Sequence, residues 1–207
     1  MPFRRGDHIC RLYSTREELA TTVGDFVSAG LAKRERCWYV ASGDEESAVR
    51  EALVERGVDV RGEIGRGALR IIPAKDAYRM HGRFDPESTL QVFNDAIEES
   101  LQAGFAGFRA AADMSWALEP TDSLDDLIIY EALLRTLFAN CGVIGLCLYD
   151  RERMPLAVLN GALATHPVLS SDGERLPNPF YDSATRRLSA VDDGTVRDKL
   201  RRIASVG

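Results

Sequence analysis

Glu131 is the residue whose position most suggests chemistry. At 100° per residue it falls among Leu124, Leu127, Leu134 and Phe138, on the apolar stripe of a helix predicted from Leu124 to Ala139. A carboxylate on such a stripe is partly buried, and it must be protonated, hydrogen-bonded or paired, with Arg109 or a histidine as partner. The second feature is Asp113-Met114-Ser115-Trp116, a polar and aromatic exit from an otherwise apolar strand. His8, His81 and His166 are numerous enough for a metal site, but their spacing matches no usual ligand motif. A structural or capping role is therefore expected for each, and no metal set is assigned. Cys147 and His166 can be drawn as nucleophile and base, yet Cys147 lies within an apolar run that disfavours a thiolate. No catalytic residue is assigned.

The elements that would position these residues follow a repeating pattern, a short apolar run and then a segment of helical period, the mark of βα units and a parallel sheet. His8–Tyr13 reads as the first strand, and Ser14 or Thr15 caps a helix with Leu19, Val23, Phe26, Val27, Gly30 and Leu31 on one stripe. Cys37–Ala41 is a second strand, and Ser42-Gly43-Asp44-Glu45 has capping-box spacing before a helix that stops at Gly57. Gly62-Glu63-Ile64-Gly65-Arg66-Gly67 reads as a turn into a third strand, Ala68–Ile72. Pro73–Arg83 is expected to be irregular, carrying Tyr78 and His81 towards a site. Asp85-Pro86 starts a helix that runs to Gly104, and Phe108–Ala112 is a fourth strand. Val143–Tyr149 is a nearly continuous apolar fifth strand, as expected at a sheet centre, and Leu156–Leu163 is a last short helix. Gly173 suits the turn of a small hairpin, and residues 184–205 read as an amphipathic helix with Val196, Leu200 and Ile203 on one stripe. The fold class that follows is an α/β three-layer sandwich around a mainly parallel sheet of about five or more strands.

In such a sheet ligands bind beyond the carboxyl ends of the strands, here Tyr13, Ser42, Pro73, Asp113–Trp116 and Tyr149-Asp150. Aromatic surface with a few polar groups suits a small organic ligand better than a phosphate. Leu12-Tyr13-Ser14-Thr15-Arg16-Glu17 has neither the glycines nor the lysine of a nucleotide-binding loop, and the glycine cluster at 62–67 precedes a strand instead of opening a helix.

The chain has 207 residues, a formal charge of −6 and 45% hydrophobic residues, which fits one substantial core with a short appendage. An acidic balance argues against nucleic acid or an anionic membrane as the partner. No apolar run approaches the length of a membrane span, and the first residues do not resemble a secretory signal, so a cytoplasmic location is expected. Cys10, Cys37, Cys141 and Cys147 all lie in apolar, strand-like segments without paired spacing and read as reduced core residues.

Taken in order, several segments resemble the MEDS domain, a sensory domain named for methanogens, methylotrophs and a dichloromethane-responsive regulator. They are Asp7–Tyr13, Gly30-Leu31, Glu35–Val40, Phe84–Glu87, Arg109 with Asp113–Trp116, Tyr130-Glu131, Leu146–Asp150, His166-Pro167 and Asn178–Tyr181. The resemblance covers about residues 6 to 182 and implies a RecA-like domain without its phosphate-binding loop. It divides the chain into a sensory domain at 1–182 and a C-terminal helix at 183–207, serving as relay or interface. It also implies a ligand pocket containing His8, Asp113, Trp116, Glu131, Tyr149 and His166, which Tyr13 and Arg109 join as a strand exit and a candidate partner of Glu131. The expected function is a non-catalytic sensor of a small, hydrocarbon-derived organic ligand. It would signal to a kinase, an anti-sigma factor, a transcription regulator or a second copy of itself. No cofactor is assigned. Two alternatives stand beside it. One is a metal- or carboxylate-dependent hydrolase or lyase with Glu131 or Asp113 as general base, and the other is a scaffold that binds nothing.

Overall fold

A computed structural model describes residues 2–79, 82–118, 123–171 and 173–181. Seven strands form one sheet: β1 (His8–Tyr13), β2 (Arg36–Ala41), β3 (Leu69–Pro73), β4 (Phe108–Asp113), β5 (Ile144–Asp150), β6 (Val168–Ser171) and β7 (Glu174–Pro177). Their order across the sheet is β3-β2-β4-β5-β1-β6-β7. All neighbours run parallel except the β6–β7 hairpin, where Gly173 takes a positive φ of 74° at the predicted turn. His81 and the predicted helix over 183–207 lie outside the described residues.

The sheet is covered on both faces, which is why its central strands read as unbroken apolar runs. Successive side chains of a strand point to opposite faces. Ile144, Leu146 and Leu148 of β5 therefore join Ile9 and Tyr39 beneath α1 (Arg16–Leu31) and α2 (Glu45–Glu55). Cys147 and Tyr149 join Cys10 and Trp38 on the other face, under α5 (Pro86–Gln102), α6 (Leu124–Cys141) and α7 (Leu156–Thr165). The result is the expected three-layer α/β sandwich.

Helix ends follow the side chains available at each. Thr15 accepts from the Glu18 amide, Asp85 from that of Ser88 ahead of Pro86, and Ser123 from that of Asp126. Four local expectations are corrected. The glycine-rich stretch opens with α3 (Val60–Gly65), because the Asp59 carboxylate caps the amide of Gly62, and only Gly67 turns into β3. The connection after β3 contains a short helix, α4 (Ala74–Tyr78), which buries Tyr78. The capping box before α2 does not form, since the Ser42 hydroxyl donates 2.6 Å to the Asp113 carbonyl instead. Cys10, Cys37 and Cys147 are buried free thiols, whereas Cys141 is exposed and ends α6 rather than lying in a strand.

One close approach sets the spacing of α6 from the sheet. Gly145 of β5 has no side chain, and the Phe138 ring lies directly on it while meeting the His8 ring edge-on at 5.5 Å. A Cβ at 145 would collide with that ring and drive it towards His8. Gly145→Ala is expected to cost about 2–4 kcal/mol by chemical denaturation. Gly161→Ala in α7, where a Cβ would meet Ile128 at 3.2 Å, should stay within about 1 kcal/mol of the parent.

Candidate functional site

Glu131 is 2% exposed on α6, as its place on the apolar stripe requires. The Tyr149 hydroxyl donates 2.6 Å to its Oε1. Around Oε2 gather three more groups: His8 Nε2 at 3.1 Å, His166 Nε2 at 3.3 Å and Cys147 Sγ at 3.8 Å. Cys147 Sγ is also 3.5 Å from His8 Nε2, and the two imidazole rings face each other with centroids 3.9 Å apart. Four elements thus converge on one carboxyl, β1 through its first residue, β5 through Cys147 and Tyr149, α6, and the residue that ends α7.

The electrostatics follow from burial. Desolvation lowers both histidines to about 3, helped at His8 by the charge on Arg135 and at His166 by His8, so both rings are neutral. Burial raises Glu131 against the opposing influence of His166 and Tyr149, and burial together with Glu131 raises the Cys147 thiol well above its usual value. His166 Nδ1 lies 2.7 Å from the Ala162 carbonyl, a bond that needs the proton on Nδ1 and leaves Nε2 as a lone pair turned to Glu131. The backbone at His166 is held in turn by Asn178, whose amide donates 2.7 Å to the carbonyls of His166 and Leu163.

The other expected site residues fall into three further groups. On the opposite face, Asp113 Oδ1 accepts from the Tyr13 hydroxyl at 3.0 Å and from the Ser115 amide and hydroxyl at 3.1 and 2.9 Å, while Oδ2 is buried without a partner. Trp116, in the short 3-10 helix Met114–Leu118, stacks on Tyr78 at 4.3 Å and packs against Phe84 at 4.6 Å. Tyr130 meets Tyr78 and Phe84 edge-on, which completes an aromatic enclosure one residue from Glu131. Among the described residues the buried Trp116 Nε1 has no hydrogen-bond partner. Arg109 belongs to neither group. Its guanidinium binds Glu35 at 2.6 and 2.7 Å and the Phe26 carbonyl at 2.8 Å, on the α1 side of the sheet. Glu131 is therefore partnered by histidines and not by Arg109.

His8, Glu131, Tyr149 and His166 are brought together as expected, although midway along the face and not at the strand exits. Cys147, considered from the sequence only as a nucleophile, joins the Glu131 cluster, Ser115 binds Asp113, and Phe84 and Tyr130 join Tyr78, expected near a site, around Trp116. Strand parity offered one signal, because Cys147 and Tyr149 must share a face, as must His8 and Cys10. The enclosure had no comparable signal, since its rings come from four separate segments.

The family model for the MEDS domain, described as the methanogen/methylotroph, DcmR sensory domain, matches residues 7–167. Both histidines of the Glu131 cluster lie just inside the ends of that span. No curated protein matches the chain.

Asp113 supplies a pH dependence separable from the Glu131 cluster. Burial, with Glu45 nearby, raises it from 3.8 to about 6 against the bonds from Ser115 and Tyr13, and Tyr39 packs beside it on the same face. Between those values the folded chain keeps a proton that the unfolded chain has lost, so stability falls as pH rises from about 4 to 6 and then levels. Asp113→Asn removes this decline, on the order of 3 kcal/mol across the window. Urea unfolding of both proteins from pH 4.5 to 7.5 checks it, and parallel curves would assign the proton elsewhere.

Proposed function

The chain belongs to the MEDS family of sensory domains, and on that premise we propose that it senses a small organic molecule and passes the signal to a partner protein. The observation that carries this reading is the buried aromatic cluster of Tyr78, Phe84, Trp116 and Tyr130, in which Tyr130 directly precedes Glu131, the acceptor of the Tyr149 hydroxyl, on α6. Ligand sites combine an apolar lining with a few converging polar groups, and a buried donor without a partner marks where a ligand acceptor can bond. The Trp116 indole N–H is such a donor. A molecule of a few heavy atoms with one oxygen or halogen would match that pairing of surface and donor.

The 3-10 helix supplies a route for the signal. It carries Trp116 into the enclosure on one face and Ser115 to Asp113 and Tyr13 on the other. A ligand that shifts Trp116 by different amounts in two states of the helix would bias the Asp113 hydrogen bonds, and through Ser42 the exit of β2. His8, Glu131, Tyr149 and His166 would form the polar floor of the site, and Tyr13 and Asp113 its relay, while Arg109 with Glu35 holds the scaffold. No described helix is long and apolar enough to cross a membrane. The partner proposed is a kinase, an anti-sigma factor, a transcription regulator or a second copy, met in the cytoplasm.

A thermal-shift screen of short alcohols, ketones, carboxylic acids and halogenated alkanes on the full chain tests this proposal. A ligand at 100 times its Kd should add about 2.7 kcal/mol and raise Tm by several degrees. The same compound should change Trp116 fluorescence in Trp38→Phe and bind Trp116→Phe at least several-fold more weakly. A screen in which nothing stabilises the chain, or a hit that binds Trp116→Phe equally well, would overturn it.

A further inference from the structure

The Glu131 cluster has a geometry that an organic-ligand site does not require. His8 Nε2, His166 Nε2, Glu131 Oε2 and Cys147 Sγ all lie within 4.8 Å of one another and are buried. Zinc bonds of about 2.0–2.2 Å to nitrogen and oxygen and 2.3 Å to sulfur place tetrahedral ligand atoms roughly 3.2–3.6 Å apart. The separations here include 3.1 Å and 3.3 Å from Oε2 to the two imidazoles, 3.5 Å from sulfur to His8 and 3.8 Å from sulfur to Oε2. A second observation points the same way. His166 Nε2 is fully buried, has no hydrogen-bond partner among the described residues and presents its lone pair to the centre, because Nδ1 is tied to Ala162.

We propose that His8, Glu131, Cys147 and His166 form a binding site for one divalent transition-metal ion, of which zinc is the first candidate. Two imidazoles, one carboxylate and one thiolate are a borderline-soft set that suits zinc, iron(II) or cobalt(II) and not calcium or magnesium, which take oxygen. Two of the surrounding bonds are those a metal site needs, while His8 Nδ1 is buried without a partner among the described residues. Tyr149 occupies Oε1 and leaves Oε2 for the ion, and the Ala162 carbonyl fixes the His166 tautomer. On binding, the Cys147 thiol and the Glu131 carboxyl release their protons to solvent, so the dication is neutralised by two anionic ligands. Four protein ligands close the coordination sphere, which assigns the ion a structural part, joining β1, β5, α6 and the end of α7. With every ligand buried, the metal enters as the chain folds. The site shares His8, Glu131 and His166 with the polar floor of the organic-ligand proposal, but it rests on its own ligand geometry.

The full chain, unfolded with chelator and refolded with zinc or cobalt(II) chloride, tests it. About one equivalent should survive desalting, and the zinc X-ray absorption fine structure should fit one sulfur and three nitrogen or oxygen neighbours. The cobalt form should show a thiolate charge-transfer band that disappears in Cys147→Ser and persists in Cys141→Ser, which alters an exposed cysteine. His166→Ala should lower retention at least ten-fold. The absorption measurement needs no variant, so it stands even where a substitution prevents folding. Failure of the refolded wild type to retain metal, a shell with no sulfur, or retention unchanged in Cys147→Ser would each overturn the proposal. Screening organic compounds on the metal-free protein keeps its outcome separate from that of the sensor reading.

Discussion

A carboxyl group buried in the middle of a sheet face is the constraint around which this fold is organised. Glu131 sits on α6 where a leucine would satisfy the packing, and solvent cannot stabilise it there. Its oxygens therefore need partners from every element that packs against that turn, and those partners are Tyr149 and Cys147 from β5, His8 from β1 and His166 at the end of α7. The demand propagates outward. The first residue of β1 must stand beside Gly145, which the β1–β5 register provides, and the missing side chain at 145 admits the Phe138 ring that walls the histidines. α7 must stop at 165 for His166 to reach inward, and Asn178 secures that stop through two carbonyls.

Much of this frame could be read from the chain, for reasons that differ by residue. The parallel sheet was legible because both of its faces are buried, so its strands carry an unbroken apolar signal. Glu131 was legible because an acid within a helical apolar stripe has only a few physical explanations. Its partners were legible only as classes. The sequence offered Arg109 or a histidine, and the choice depends on which face of β4 carries residue 109, together with the salt bridge to Glu35 from the turn before β2. Cys147 was set aside because an apolar strand disfavours a thiolate, an argument that concerns nucleophiles and says nothing of a thiol gathered among metal-type ligands. α3 was hidden because glycines weaken local propensity while a single cap, Asp59, restores the helix.

The two faces of the sheet hold their polar groups in different ways. On the α1 side, Arg109 and Glu35 form a desolvated ion pair with the Phe26 carbonyl as a further acceptor and the Phe26 ring 4.7 Å beneath the guanidinium. Gly30 clears the room for it, since a Cβ there would strike both Cys37 and Arg109. Charge meets opposite charge, and the arrangement is rigid. On the α6 side, the histidines are neutral, and what holds the cluster around Glu131 is shared protons and lone pairs. A set held in that way is open to exchange of its protons for another electrophile, which the ion pair is not.

The segment Met114–Leu118 is where these two chemistries can communicate. It is a short 3-10 helix directly after β4, in which successive side chains point about 120° apart, so Ser115 and Trp116 meet different groups. Ser115 is committed to Asp113 with two bonds, and Trp116 is stacked among rings that abut Tyr130 and hence Glu131. A rigid strand could not transmit a change in the enclosure without shearing its neighbours, but a single 3-10 turn can rotate at the cost of a few weak hydrogen bonds. That makes the exit of β4 the place where occupancy near Glu131 would become a difference in surface structure, with Tyr13 and Ser42 carrying it to the ends of β1 and β2.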